Sequence, residues 1–274
     1  MSQPSDDCKL NLGRLLSPAS IAIVGASEKN RSIAANTIGQ LLDSNYAGTL
    51  YLVNPRYSSL FQIPCYPDLE SLPVVPDLVV FAISGLALEA VFDRALQLGV
   101  GGVLIYAANF VADESEPSLP VRLRRKAAAA GVPVCGGNSM GFYNYDDNVF
   151  VSFDRPPGRP AGGIALIAHS GSAMTYLANN DARFCFNFVI SSGQETSGTV
   201  ADYIRFVLSR ESTRAIALFL ETVREPKGFI DALDIARARS VPVVIVKLGR
   251  TEQSAAQALT HSGAIVGDLS LIHI

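Results

Sequence analysis

Short runs of apolar, often β-branched residues recur along this chain, separated by longer segments with helical period, and that alternation leaves few folds open. The first set is Ile21–Val24, Leu50–Val53, Leu78–Phe81, Val103–Tyr106 and Val132–Val134. A strand that is apolar at every position must be covered on both faces, and helical crossovers on either side of a parallel sheet supply that cover. The same alternation restarts with Ile164–Ile167, Phe188–Ile190, Ala215–Leu220 and Val243–Val246.

Between the two sets, Asp154 to Gly163 is dominated by Pro, Gly and Arg, as a linker is. The expected class is therefore α/β, with two Rossmann-like or flavodoxin-like open parallel-sheet domains in tandem. The first covers 1–150, a linker 151–163 and the second 164–274, and a chain of 274 residues is long enough for each to bury its own core. No residue-level repeat relates the halves. The final Leu269–Ile274 is an apolar hexapeptide with no helix or strand context, read as a translated sequencing adaptor behind a reading frame cut short, so His273 carries no function.

An apolar fraction of 49% against 17% charged residues excludes a disordered chain. A net charge of −3 gives no bias toward nucleic acid or anionic lipid, and the basic cluster Arg122–Lys126 reads as a solvated helix face. The polar, acidic start is unlike a secretory leader, and the longest apolar runs, such as Val241–Val246, are too short to span a bilayer. A soluble cytoplasmic protein is expected. Cys8, Cys65, Cys135 and Cys185 lack paired spacing, which predicts reduced, mostly buried thiols and no metal site.

Two turns suit phosphate. The first strand stops at Gly25 and leads through Ala26 and Ser27 to a helix from Ile33, a place where free backbone N–H groups and a helix N-terminus can face an anion. The full G-x-G-x-x-G pattern is absent, so a glycine turn that merely brings the helix close stands beside the phosphate reading. The second strand ends Val53-Asn54-Pro55-Arg56, with no acid for a bare ribose. Arg56 tilts the ligand from NAD toward NADP or another phosphorylated adenosine such as coenzyme A. The second turn, Ala168-His169-Ser170-Gly171-Ser172, precedes a helix and is either a phosphoryl cradle or an ordinary N-cap. His169 is a phosphate contact or a loop histidine with one hydrogen bond, and the missing leading glycine argues against a nucleophile elbow.

His261 lies among Ala, Ser, Thr and Gly on a segment that could approach a ligand and move. Its imidazole is a competent nitrogen nucleophile near neutral pH, which fits a phosphoryl acceptor, and a satisfied loop histidine is the other reading. Glu221 follows its strand directly, where a carboxylate could hold one ring nitrogen and leave the other free to attack, or simply face solvent.

These residues together resemble the NDP-forming acyl-CoA synthetases, which include the ADP-forming acetate–CoA ligases and are similar to the succinyl-CoA synthetase α subunit. The similarity is carried in order by Leu16–Ser27, Val53-Asn54-Pro55, Gly136–Gly141, Ile167–Gly171, Leu218–Glu221 and Thr260–Ala264. The resemblance implies that the first domain binds coenzyme A through Gly25, Ala26, Ser27, Val53, Asn54, Pro55, Arg56, Ile83, Ser84 and Asn138. It implies that His261 is phosphorylated and held by Glu221, with Ser170, Gly171 and Ser172 binding the phosphoryl group. The implied reaction is acid + CoA + ATP ⇌ acyl-CoA + ADP + phosphate. ATP or ADP with Mg2+ would bind an ATP-grasp domain or β subunit absent from this C-terminally truncated fragment, and a small carboxylic acid and an oligomeric assembly complete the expected partners. The chain departs from the family pattern at Gly137 and Ser139, where proline and cysteine are usual, and at His169, which replaces glutamine or arginine. The competing readings are a non-catalytic CoA-binding or regulatory module, as in ligase-like protein acetyltransferases, and an NADP-dependent oxidoreductase.

Overall fold

The computed structural model describes residues 10–83, 87–107, 117–180 and 183–248. The first half runs α1 (Gly13–Leu16), β1 (Ser20–Val24), α2 (Ile33–Asp43), β2 (Thr49–Val53), β3 (Ser59–Leu60), β4 (Ile63–Tyr66), β5 (Leu78–Phe81), α3 (Ala87–Leu98), β6 (Gly102–Ile105), α4 (Leu119–Ala130) and β7 (Val134–Gly136). The second runs β8 (Gly141–Asn144), β9 (Val149–Val151), β10 (Ile164–Ala168), α5 (Gly171–Asn180), β11 (Phe186–Ser191), α6 (Val200–Leu208), β12 (Ala215–Leu220), α7 (Pro226–Ala238) and β13 (Val243–Lys247).

Each apolar run is a strand, and the α/β class with two parallel-centred sheets is as expected. The first sheet has the order β3-β4-β2-β1-β5-β6-β7 and the second β13-β12-β10-β11-β8-β9. β7 begins two residues later than the run Val132–Val134 suggested, because Pro133 has no N–H to give the ladder. Both sheets also carry an antiparallel hairpin that the pattern did not announce. In the first, β3 and β4 turn at Phe61 and Gln62, both at positive φ (51° and 62°). That geometry ordinarily calls for Asn-Gly, so the turn has no legible signature. In the second, β8 and β9 pair with each other and β8 pairs with β11. The first sheet ends at Gly136, and Gly141–Val151, expected from the sequence to lie in the first domain, pairs into the second sheet.

The two sheets are fastened at their carboxyl ends. Gly136 N donates to Ser192 O (3.2 Å), Thr196 N to Gly136 O (2.9 Å), Gln194 N to Gly137 O (2.8 Å) and Gly137 N to Thr196 Oγ1 (3.1 Å). Gly193, at φ 59°, is needed there, since a Cβ would collide with Gly137 O. A second fastening centres on Arg210, whose guanidinium lies 5.7 and 5.5 Å from the rings of Phe188 and Phe206 and reaches Asp147 and Ser17 Oγ. Burial would raise the Asp147 carboxyl, but hydrogen bonds from Ser17 and Asn144 and the Arg210 charge outweigh it and hold it below its usual range.

The basic cluster is a solvated face only in part. Arg124 and Arg125 are exposed, whereas Arg122 and Lys126 turn onto α3, where Arg122 Nη2 meets Glu89 Oε2 at 2.7 Å and Lys126 Nζ meets Glu89 and Asp93, each at 2.8 Å. Of the thiols, Cys135 is buried, Cys65 and Cys185 are half-buried and all three are free; Cys8 lies outside the described residues. No helix among the described residues is long and apolar enough to cross a membrane.

The Arg122 hydrogen bond, against the opposing effect of burial and with help from Lys126, lowers the Glu89 carboxyl from 4.5 to about 2. Because the folded-state value is depressed, the contribution of this clamp is complete above pH 4.5 and fades as pH falls toward 2. Glu89→Gln is expected to cost on the order of 1 kcal/mol at pH 7, solvent screening included. Urea titrations of both proteins should show that gap closing as the pH is lowered.

Candidate functional site

In the first sheet, β1 pairs with β2 on one side and β5 on the other. Successive crossovers therefore leave β1 in opposite directions, and a crevice opens at its carboxyl end, where open α/β sheets take their ligands. A cavity of about 810 Å³ lies there, lined by Gly25, Val53, Asn54, Pro55, Arg56 and Ile83 among others. Six of the ten expected coenzyme contacts thus share one wall system.

Gly25 makes the close approach possible. It sits at φ 84°, and a Cβ would stand 2.6 Å from Ile83 Cγ2 and 2.9 Å from Ala82 O. The expectation of free N–H groups at this turn is corrected: Gly25 N and Ala26 N both donate to Val53 O (2.9 and 3.3 Å). The helix begins where expected, after the turn Gly25–Ser32. α2 starts at Ile33, with Ser32 Oγ capping Ala35 N at 3.1 Å, and Ser27 Oγ accepts from Lys29 N.

Asn54 shapes this turn. Its Nδ2 donates to Ala26 O (2.8 Å) and its Oδ1 accepts from Arg56 N (3.0 Å), so the amide braces the floor of the cavity. Arg56 is exposed on the cavity wall. Glu28 accepts from Phe61 N and ties the β1–α2 turn to the unforeseen hairpin. Asn138 stands apart, exposed at φ 54° beyond β7, with β5 and β6 between it and β1. Ser84 lies outside the described residues.

The second sheet repeats the device. β10 pairs with β11 on one side and β12 on the other, so its crevice lies at the ends of β10 and β12. His169 follows β10 and Glu221 follows β12, and both are buried. Glu221 N donates to His169 Nδ1 at 3.0 Å and Thr222 N to the same atom at 3.5 Å. An Nδ1 that accepts carries no proton, so the ring proton is on Nε2. That nitrogen faces Glu195 Oε1 at 3.2 Å. Glu221 Oε2 is buried with no hydrogen-bond partner among the described residues.

Ser170, Gly171 and Ser172 begin α5 beside this pair. Ser170 Oγ accepts from Ala173 N (3.3 Å), which is the N-cap arrangement, Met140 covers Gly171, and Ser172 is exposed. His169 is a buried histidine of the turn between β10 and α5, as the loop reading had it, with its hydrogen bond coming from Glu221 N. His261 lies outside the described residues.

The pattern reading passed over Glu195 and Arg224. Glu195 is buried at φ 49°, with Oε1 accepting from Val200 N (2.6 Å) and Oε2 lying 3.7 Å from Arg224 Nε. Arg124 of α4, solvent-exposed on its outer side, shares this field: partial desolvation first, then Arg224, pulls its guanidinium below the usual range, while Glu195 works against them. The available signal was Ser191-Ser192-Gly193-Gln194-Glu195-Thr196, a glycine turn with an acid leaving an apolar strand.

Comparisons with known proteins agree with this arrangement. Residues 19–145 match the CoA binding domain family, and residues 161–273 match the succinyl-CoA ligase like flavodoxin domain family. A trans-feruloyl-CoA synthase, FCS1, from an unknown prokaryotic organism is 31% identical over 269 residues, covering 95% of this chain and 38% of the relative. The α subunit of ADP-forming acetate–CoA ligase I from Pyrococcus furiosus is 26% identical, over 94% of this chain and 57% of the subunit. The structure of a dinucleotide-forming acetyl-coenzyme A synthetase 1 from Ca. Korarchaeum cryptofilum, in complex with phosphate and ADP, superposes with a TM-score of 0.84 at 27% identity, over 94% of this chain and 56% of that one. The chain thus spans less than two thirds of each of these relatives. Fold and matches define a CoA-binding domain joined to a succinyl-CoA-ligase-like flavodoxin domain. The relatives that share this pair of domains are ADP-forming acid–CoA ligases and related CoA synthetases.

Substitution at the first crevice should separate shape from chemistry. Gly25→Ala is expected to destabilise by at least about 2 kcal/mol, through positive φ and the clash with Ala82 and Ile83. Asn54→Ala should cost about 1–2 kcal/mol by leaving Ala26 O and Arg56 N without their partner. Both are read as shifts of the urea midpoint.

Proposed function

We propose that this chain is the CoA-binding and phosphohistidine-bearing region of an ADP-forming acyl-CoA synthetase. The whole reaction is acid + CoA + ATP ⇌ acyl-CoA + ADP + phosphate. The observation that carries the reading is the 810 Å³ crevice at the β1–β5 switch point, with Arg56 on its wall, inside the segment matched by the CoA-binding family. A guanidinium there recognises phosphate as a charge-assisted partner, and the apolar wall of Val24, Val53 and Ile83 suits the rest of a long, mixed ligand.

His261 is the phosphoryl acceptor in this reading. Its nitrogen attacks phosphorus of an acyl phosphate, the P–O bond to the acyl oxygen breaks, and the acid leaves as carboxylate. Glu221 holds the proton on the other ring nitrogen. A buried carboxylate oxygen without a donor, such as Glu221 Oε2, supports that role, because an imidazole N–H would satisfy it. The Ser170–Ser172 helix start lies beside Glu221 through His169 and is the phosphoryl-binding end of α5.

Transfer to and from nucleotide requires an ATP-grasp domain or β subunit, with ATP or ADP and Mg2+ bound there. The Pyrococcus relative is named as an α subunit, which favours such a partner. The acid is a carboxylic acid of a size left open, since relatives are named for acetate and for trans-feruloyl-CoA. A cytoplasmic, oligomeric enzyme completes the reading. Retention of His261 and Glu221 favours it over a non-catalytic CoA-binding module.

Calorimetric titration with CoA and with NADP tests the first half. CoA is expected to bind more tightly, with Arg56→Ala weakening it about tenfold, equivalent to about 1.4 kcal/mol; tighter NADP binding refutes the assignment. For the second half, labelled acyl phosphates of acetic and trans-ferulic acid are expected to leave acid-labile phosphate on His261. Label should vanish in His261→Ala and form at least about tenfold more slowly in Glu221→Gln. Label that persists without His261 removes it from the mechanism.

A further inference from the structure

His169 and Glu195 are buried titratable side chains at the second switch point, and the reaction as proposed uses neither. The ladder of β12 ends at Leu220, and the next two backbone N–H groups, those of Glu221 and Thr222, both point at His169 Nδ1 (3.0 and 3.5 Å). The other ring nitrogen faces Glu195 Oε1 at 3.2 Å, and that oxygen also accepts from Val200 N, the first residue of α6. A continuous run of contacts therefore leads from the start of α6 through a carboxylate and an imidazole to the backbone of Glu221.

We propose that His169, oriented by Glu195, is a positioning residue for Glu221: it pins the main chain from which the Glu221 carboxylate projects. The assignment rests on the reading of Glu221 as the group that holds the phosphoryl-accepting imidazole. Three features distinguish His169 from a space-filling core histidine. Its acceptor nitrogen is occupied by the very peptide groups that aim Glu221. Its other ring nitrogen is buried and lies 3.2 Å from Glu195 Oε1, a carboxylate neighbour placed to bias the ring orientation without a completed hydrogen bond. Glu195 is kept at φ 49°, an uncommon conformation for a non-glycine residue, and such outliers persist where the surroundings demand them. Displacing a catalytic group by about 1 Å costs on the order of 100-fold in rate, so backbone pinning is enough to matter without any contact to substrate.

The test uses the 274-residue chain and the labelled acyl phosphates of acetic and trans-ferulic acid, with CoA affinity as a control for folding. His169→Leu removes the acceptor, and His261 labelling should slow about 10- to 100-fold while CoA affinity stays within about twofold. His169→Asn places an amide oxygen near the position of Nδ1 and should restore labelling to within about threefold of wild type, whereas His169→Gln, whose amide reaches the position of Nε2, should not. If His169→Leu does not fold, the Asn and Gln pair decides alone: recovery in Asn only supports the proposal, and equal rates overturn it. Labelling of His169→Leu at the wild-type rate also overturns it while leaving the phosphohistidine reading intact. Wild-type chain that takes no label from either acyl phosphate overturns that reading and the role of His169 with it.

Discussion

Backbone hydrogen bonds between the loop after β7 and the loop after β11 set the frame for everything else in this molecule. They join the carboxyl ends of two sheets, the ends at which open α/β domains do their chemistry. Close contact of two main chains demands a small residue, which Gly193 provides, since a Cβ there would stand 2.3 Å from Gly137 O. Arg210, stacked on Phe188 and Phe206 and bonded to Asp147 and Ser17, fastens the same two halves at a second point. The chain itself crosses from the first sheet to the second between β7 and β8, beside the first of these joints, and the segment between β9 and β10 connects two strands of the second sheet.

Each sheet then uses the same topological device for a different surface. At the first switch point the walls are apolar with an exposed guanidinium on the rim, and the polar atoms nearest the turn are already satisfied internally. The second switch point is dense with buried titratable side chains: Glu195, Glu221 and His169 within a few residues of strand ends, with Arg224 and Arg124 nearby. A low-dielectric cluster of this kind is costly to assemble and is held by specific partners rather than by packing alone. On the proposed reading, the first crevice supplies binding and the second supplies the oriented groups that a phosphoryl transfer needs.

Much of this was legible beforehand, and the reasons are local. Runs such as Leu78–Phe81 and Ile164–Ile167 are apolar throughout because both faces are covered, so they announce parallel strands directly. Gly25, Asn54 and Arg56 were readable because a glycine turn and the end of the next strand must meet at a switch point. Glu221 was readable for its place after β12. Glu195 was not: its partners are His169, 26 residues earlier in the chain, and Arg224, 29 residues later, and no short-range spacing connects them. The β3–β4 hairpin escaped notice because Phe61 and Gln62 adopt a turn that neither favours intrinsically.

Sequence alone determined the α/β class, the positions of the parallel strands and the two switch-point turns, since each follows from periodicity or from residue order along the chain. Tertiary structure decided which N–H groups at Gly25 and Ala26 were already taken, that Gly141–Val151 joins the second sheet, and that the loop histidine His169 is buried with the backbone of Glu221 as its partner. Those outcomes depend on hydrogen bonds between segments far apart in the chain, and such pairings are settled only when the sheets assemble and water leaves the strand ends.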